Sequence, residues 1–247
     1  MPVFFIHSQD VMDGLVTIID PLLSHLSKSL RTKPGGSLLF NDDQGHRYHT
    51  TVVQITKQSL QASIQRTEDP PHQTRPPIIL AQALLKGEKM GWVVQKATEL
   101  GITAIRPLMT ERVILQLSEK QEETHRARWM RIALEAAQQS ERWTLPTISP
   151  MQTFQQFLDT PHAAPPIVMA ERTGTQSLLT IPCVSEEPST AVTVMIGPEG
   201  GWSARELDAA QAHHCLFASF GKEILRAETA SLAAVALLQA RFQAERG

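Results

Sequence analysis

The chain has 247 residues, 42% hydrophobic and 19% charged, a composition that supports one large or two small packed domains and argues against disorder. Its formal net charge of -2 excludes the strongly basic balance of a protein that clings to any nucleic acid, so such a partner would have to be met by a local basic face and by shape. Two cysteines, Cys183 and Cys215, decide nothing about disulfides; Met1 to Asp10 lacks a basic segment followed by a long apolar run, and no segment approaches the roughly 20 apolar residues of a membrane helix, so the expected location is cytoplasmic.

Up to about residue 70 the pattern is short and strand-like. Val3-Phe4-Phe5-Ile6 is an apolar run, and Leu22 to Leu30 fits one short helix. Ser37 to Phe40 leads into the turn-rich Asn41-Asp42-Asp43-Gln44-Gly45, after which His46 to Ile55 resumes with Thr50, Thr51, Val52 and Val53. Those residues favour strands, and the pair reads as a hairpin. Leu60, Ala62 and Ile64 alternate with polar residues as a further strand. Residues 1–70 therefore predict a small β-rich barrel. Four prolines between Asp69 and Pro77 cannot build helix or central strand, and 71–77 is expected to be a linker.

From residue 78 to 247 strand and helix patterns alternate. Ile78 to Leu84 is strand-like; Glu88 to Leu100 carries Met90, Val93, Val94 and Ala97 at helical spacing, with Gly101 as its stop. Ala104 to Leu108 is a strand. Ser118 with Gln121 is a capping box opening a long helix whose buried stripe is expected at Met130, Leu134 and Ala137. Ile167 to Ala170, Val192 to Ile196 and Cys215 to Phe220 are strands, Ser203 with Glu206 opens another helix, and Thr229 to Phe242 is the last. Such alternation predicts an α/β domain with a largely parallel sheet.

In parallel sheets ligands bind beyond the carboxyl ends of strands, and two loops fit. Gly197-Pro198-Glu199-Gly200-Gly201 follows the strand Val192 to Ile196; its three glycines let backbone approach a ligand closely, although such loops also serve as plain tight turns. Gly221 to Ala230 follows the next strand and keeps the aliphatic pair Ile224-Leu225 beside Arg226 and Glu228. The pair can sandwich an adenine ring; a solvated, salt-bridged helix entrance is the alternative. A Gly-x-x-x-x-Gly-Lys-Ser/Thr phosphate loop, a Gly-x-Gly-x-x-Gly after the first α/β strand and a Gly-x-Ser-x-Gly elbow are all missing, which disfavours nucleotide hydrolysis, dinucleotide binding and serine hydrolysis. Cysteines are too few for the usual zinc site, and His213-His214 reads as a helix end rather than a metal pair, so no metal is expected.

In order and spacing these pieces resemble the RsmE family of ribosomal RNA methyltransferases in the SPOUT superfamily. The resemblance runs over essentially the whole chain: Leu84-Leu85-Lys86-Gly87-Glu88-Lys89-Met90 to Lys96-Ala97-Thr98-Glu99-Leu100-Gly101, Pro107 with Glu111-Arg112, Glu135 to Ser140, Ile196 to Gly201, and Gly221 with Ile224-Leu225-Arg226 and Glu228-Thr229-Ala230. Ser24-His25-Leu26 and Leu30-Arg31 sit where the family's first domain carries a His-Leu and a Leu-Arg motif. The chain departs from the pattern at Phe220, where Leu is usual, at Glu223, where Arg is usual, and at Glu141, where Gly is common.

The resemblance implies methyl transfer from S-adenosylmethionine to N3 of a uridine in small-subunit (16S) ribosomal RNA. It implies a C-terminal knotted parallel-sheet domain with a trefoil knot, a PUA-like RNA-binding first domain, and a homodimer with the donor near its interface. The donor residues would be Ala170, Glu171, Ile196, Gly197, Pro198, Glu199, Gly200, Gly201, Phe220, Gly221, Ile224 and Leu225. Uridine N3 carries a proton, so a cation that favours the deprotonated base should help; Arg226 is the expected catalytic cation and Glu228 the group that positions it. RNA contact is expected from His25, Arg31 and Lys33 in the first domain and from Lys86, Lys89, Arg112, Arg126, Arg128 and Arg131 in the second. Trp92, Trp129 and Trp143 are expected in the core. An assembly factor without catalysis, with Glu223 as its mark, and an enzyme acting on another RNA such as transfer RNA are the alternatives; the resemblance alone selects the small subunit.

Overall fold

The computed structural model describes residues 3–29, 31–113, 118–171, 176–181 and 189–244; Leu30 of the Leu-Arg motif and Cys183 lie outside them. The chain forms two compact units, Met1–His72 with Ala137–Thr144, and Gln73–Ala136 with Leu145–Gly247.

The first unit is built on one sheet. Its strands are β1 Val3–Phe5, β2 Val11–Met12, β3 Leu15–Ile18, β4 Ser37–Asn41, β5 Arg47–Ile55 and β6 Leu60–Glu68, in the order β1-β4-β5-β6-β3-β2. All neighbours are antiparallel except β1 and β4. The expected barrel is thus a six-stranded sheet with β1 and β2 as its end strands. One turn of helix, α1 Leu22–Ser24, continues as a wider turn through Ser29, and it places Leu23 and Leu26 in a core with Phe4, Val16, Phe40 and Leu60.

Why β4 and β5 turn where they do is visible in Asp42. One carboxylate oxygen accepts the Gln44 and His46 N–H groups at 3.0 and 2.8 Å, and the other accepts the Tyr48 hydroxyl at 2.8 Å. The side chain thus organises the turn as backbone amides would. Asn41 reaches the carbonyls of Arg142 and Trp143 at 2.8 and 3.0 Å, and the Arg47 guanidinium lies 4.0 Å above the Trp143 ring. Trp143 is therefore a half-buried cation-π partner rather than a core residue.

In the second unit the strands β7 Ile78–Ala83, β8 Ala104–Met109, β9 Thr147–Ile148, β10 Gln152–Thr153, β11 Ile167–Met169, β12 Gln176–Ser177, β13 Val192–Ile196 and β14 Leu216–Ser219 are all parallel. Their order is β10-β8-β7-β13-β11-β14-β12, with β9 also on β8. The helices are α2 Lys89–Glu99, α3 Glu119–Gln139, α4 Phe154–Asp159, α5 Ala204–Ala212 and α6 Ala227–Ala244. Val192, Val194 and Ile196 pack into a core shared with residues of α2 and α6, while Met195 joins one with Phe154, Phe157 and Ala210. Burial on both faces explains why β13 is buried at every position, as parallel strands are. Each fully buried side chain of this kind contributes about 1.5–3 kcal/mol.

Two further details differ from expectation. The buried stripe of α3 is Trp129, Ala133, Ala136 and the expected Ala137, whereas Leu134 is half-buried and Met130 is 50% exposed: the largest apolar side chain, one position before Met130, sets which face turns inward. Trp92 is exposed. Glu141, one of the departures from the family pattern noted in the sequence, has φ +53, a left-handed backbone that costs a side-chain-bearing residue about 1–2 kcal/mol and that glycine adopts freely.

Tyr48 is the chain's single tyrosine, so its ionisation can be followed alone at 295 nm. Burial, reinforced by the Asp42 carboxylate that accepts its proton, pushes it up to about 12. The native protein should develop tyrosinate absorbance near pH 12, and Asp42→Asn should bring the transition part of the way back; a native transition near pH 10 would contradict the buried pairing.

Candidate active site

Because the strands are parallel, the loops leaving β7, β11, β13 and β14 all emerge at one end of the sheet. β13 and β14 flank β11, so the two loops singled out from the sequence face each other across it. Between them lies a cleft of about 770 Å³, within the range of small-molecule sites.

The expected donor residues Ala170, Glu171, Ile196 through Gly201, Phe220, Ile224 and Leu225 all line this cleft; Gly221 does not. Leu225 is half-buried and packs on the core, whereas Ile224 is 67% exposed. The aliphatic pair thus has one fixed member and one free one. Trp202, which the sequence reading passes over, forms part of the wall. Its indole N–H donates to the Met169 carbonyl at 3.0 Å and its ring stacks near Phe154 at 5.1 Å. A Cβ on Gly197 would stand 3.2 Å from that ring, so any larger residue would press the indole back by a few tenths of an ångström. Gly201, at φ +68, closes the turn by donating to the Pro198 carbonyl at 2.8 Å, a backbone shape suited to glycine.

Polar latches hold the loop after β13. The Arg112 guanidinium donates to the Gly200 carbonyl at 2.7 Å. Glu199 accepts the Lys86 N–H at 3.3 Å and the Lys89 ammonium at 3.1 Å. Ser203 and Glu206 form the expected capping box. Glu206 also reaches beyond its own helix, where its other oxygen accepts the Glu111 N–H at 2.9 Å and ties the loop after β8 to the start of α5. Since Glu206 is 4% exposed, its removal would strand the buried Ser203 N–H, at a cost of about 1–3 kcal/mol, and would release the exposed Glu111 from α5. Burial pushes Glu199 up, but its own N–H, the Lys89 ammonium and the Lys86 N–H together hold its carboxyl below the ordinary range; Glu199 correspondingly raises Lys89.

The catalytic pair expected from the sequence is divided. Arg226 lines the cleft and is exposed, and its guanidinium has no ion-pair or hydrogen-bond partner among the described residues. Among the described residues Glu228 makes no ion pair or hydrogen bond with it. One turn into α6, the carboxylate of Glu228 lies instead 3.6 Å from Lys89, because the helix begins at Ala227 and carries the two side chains apart.

Lys89 and Arg112, expected among the RNA-facing cations, likewise line the cleft and are engaged within it. Arg126 donates to the Ile148 carbonyl at 2.9 Å, Arg128 pairs with Glu88, and Arg131 lies 3.8 Å from Glu135. Lys86 is exposed, as are His25, Arg31 and Lys33 in the first unit. His213 ends α5 and His214 follows it with φ +56; among the described residues no group of three or more His, Cys, Asp or Glu side chains is placed to hold a metal ion. No helix among them is long and apolar enough to cross a membrane.

Known proteins share this geometry. Residues 72–239 match the RNA methyltransferase domain family. The ribosomal RNA small subunit methyltransferase E of Synechocystis is 32% identical over 95% of this chain and 76% of its own length, and that of Bacillus subtilis is 26% identical over 90% and 89%. The crystal structure of the Neisseria gonorrhoeae ribosomal RNA small subunit methyltransferase E, bound to S-adenosyl methionine, superposes with a TM-score of 0.85 at 30% identity, covering 97% of each chain. A putative methyltransferase from Legionella pneumophila, in complex with the same cofactor, gives 0.84 at 25% identity over 96% of each. The overall fold thus recurs over 96–97% of these solved chains, and the chain belongs to the ribosomal RNA small subunit methyltransferase E family of RNA methyltransferases.

Proposed function

We propose that the protein methylates N3 of a uridine in small-subunit (16S) ribosomal RNA, taking the methyl group from S-adenosylmethionine. The observation that carries this reading is the cleft between the loops after β13 and β14, lined by eleven of the twelve expected donor residues, all but Gly221. Its chemistry suits the donor: glycine backbone that lies against Trp202 and Arg112 without side chains of its own, apolar Leu225 and Ile224 for an adenine, and carboxylates at Glu171 and Glu199. When bound, the donor supplies an electrophilic methyl on a sulfonium.

The protein's own part is to hold and orient. The loops after β11, β13 and β14 fix the donor, and alignment of the reactants is worth several kcal/mol. Uridine N3 must give up its proton, to water, as its bond to the methyl carbon forms and that carbon's bond to the sulfonium sulfur breaks. Arg226, free and cationic at the cleft, steadies the negative charge that develops on the uracil carbonyls. To reach the cleft the uridine leaves any stack it occupies.

Residues 1–70, the main part of the first unit, act as a PUA-like RNA-binding domain joined through 71–77 to a knotted methyltransferase domain, 78–247. Exposed His25, Arg31, Lys33 and Lys86 support RNA contact. Insertion of β13 between β7 and β11, strands earlier in the chain, supports a threaded C-terminal segment. The family resemblance supports a homodimer working in the cytoplasm.

The test is methyl transfer from labelled S-adenosylmethionine to small ribosomal subunits lacking the modification, read by nucleoside mass spectrometry. Labelled N3-methyluridine is the expected product; donor binding without transfer would move the substrate to another RNA, and absence of both would indicate an assembly factor. Arg226→Ala should lower turnover by about 10²-fold or more with donor affinity unchanged; undiminished turnover would remove Arg226 from the reaction.

A further inference from the structure

Lys89 stands at the first position of α2 and is 38% exposed. Its ammonium lies between two carboxylates from different elements: Glu199 of the glycine loop at 3.1 Å and Glu228 of the first turn of α6 at 3.6 Å. The two acids differ in their other support. Glu199 also accepts the Lys86 N–H. Glu228 is 15% exposed, and its oxygen facing Lys89 is buried with no hydrogen-bond donor within reach. Among the described residues Lys89 is thus the only cation paired with Glu228.

An exposed ion pair contributes little, but this one differs. A carboxylate removed from water is costly unless a charge compensates it, and here the compensating charge also joins the loop after β13 to the first turn of α6. We propose that Lys89 is a positioning residue, which sets the spacing of the donor cleft by tying the loop after β13 to the first turn of α6, one step from Arg226. The proposal rests on the reading of the cleft as the donor site. It assigns Lys89 to donor binding, and only through it to RNA.

Calorimetry with S-adenosylmethionine, alongside steady-state kinetics on small subunits, separates these roles. Lys89→Met should weaken donor affinity about tenfold and leave the KM for RNA and its salt dependence unchanged. Adding Glu228→Gln to that variant should recover much of the donor affinity, because the carboxylate left without its cation is gone. A rise in the RNA KM with a salt slope smaller by about one, donor affinity intact and no recovery from Glu228→Gln, would overturn the proposal in favour of a phosphate contact. Donor affinity lost equally in the single and double variants would also overturn it, leaving Lys89 a general structural residue. Wild-type protein that binds no donor would instead refute the reading of the cleft itself.

Discussion

The burial of β13 between β7 and β11 is the constraint on which the rest of the second unit depends. A parallel strand covered on both faces has to be apolar along its length, as Val192 to Ile196 is, and it has to leave the sheet at the same end as its neighbours. That common exit brings the loops after β11, β13 and β14 together. Gln82, at the carboxyl end of β7, is fully buried and accepts the Ser231 hydroxyl of α6, so the last helix is anchored to the strand beside β13. The cleft follows from topology before any side chain contributes chemistry.

Charge then adjusts what topology has placed. Arg112, Glu206 and Lys89 each reach from one element to another: to the Gly200 carbonyl, to the Glu111 N–H, and to Glu199 with Glu228. These contacts commit charged groups to holding backbone, which leaves Arg226 as a cation at the cleft that is not engaged with another described residue. A guanidinium that already had a carboxylate partner would have less to offer a developing anion on a base. Separation of Arg226 from Glu228 is therefore consistent with its role, although the sequence suggests the two as a pair.

Local signals were legible in the chain. The Asn41–Gly45 turn, the β13 run, the Ser203-x-x-Glu206 box and both cleft loops follow from residue types that have few other uses in those positions. Long-range consequences were not. The order of the strands puts Lys89 beside Glu228 across 139 positions of sequence, and no periodicity carries that. On α3, a mostly polar helix, spacing finds the buried Ala137 but misplaces Met130, because the bulk of Trp129 turns the inward face one position back. Helix α4 did have a signal, Thr153 with Gln156 in a capping box, but six residues are too few for a helical period to stand out. Trp202, directly after two glycines, gives no sign by itself that its ring will floor a glycine loop.

Hydrogen exchange with and without S-adenosylmethionine tests most directly whether the loops after β13 and β14 form one donor site. Slower exchange of the amides in 196–201 and in 220–226 together, with β5 and β6 of the first unit unchanged, is the predicted result. Protection confined to one of those loops, or found only in the first unit, would contradict it.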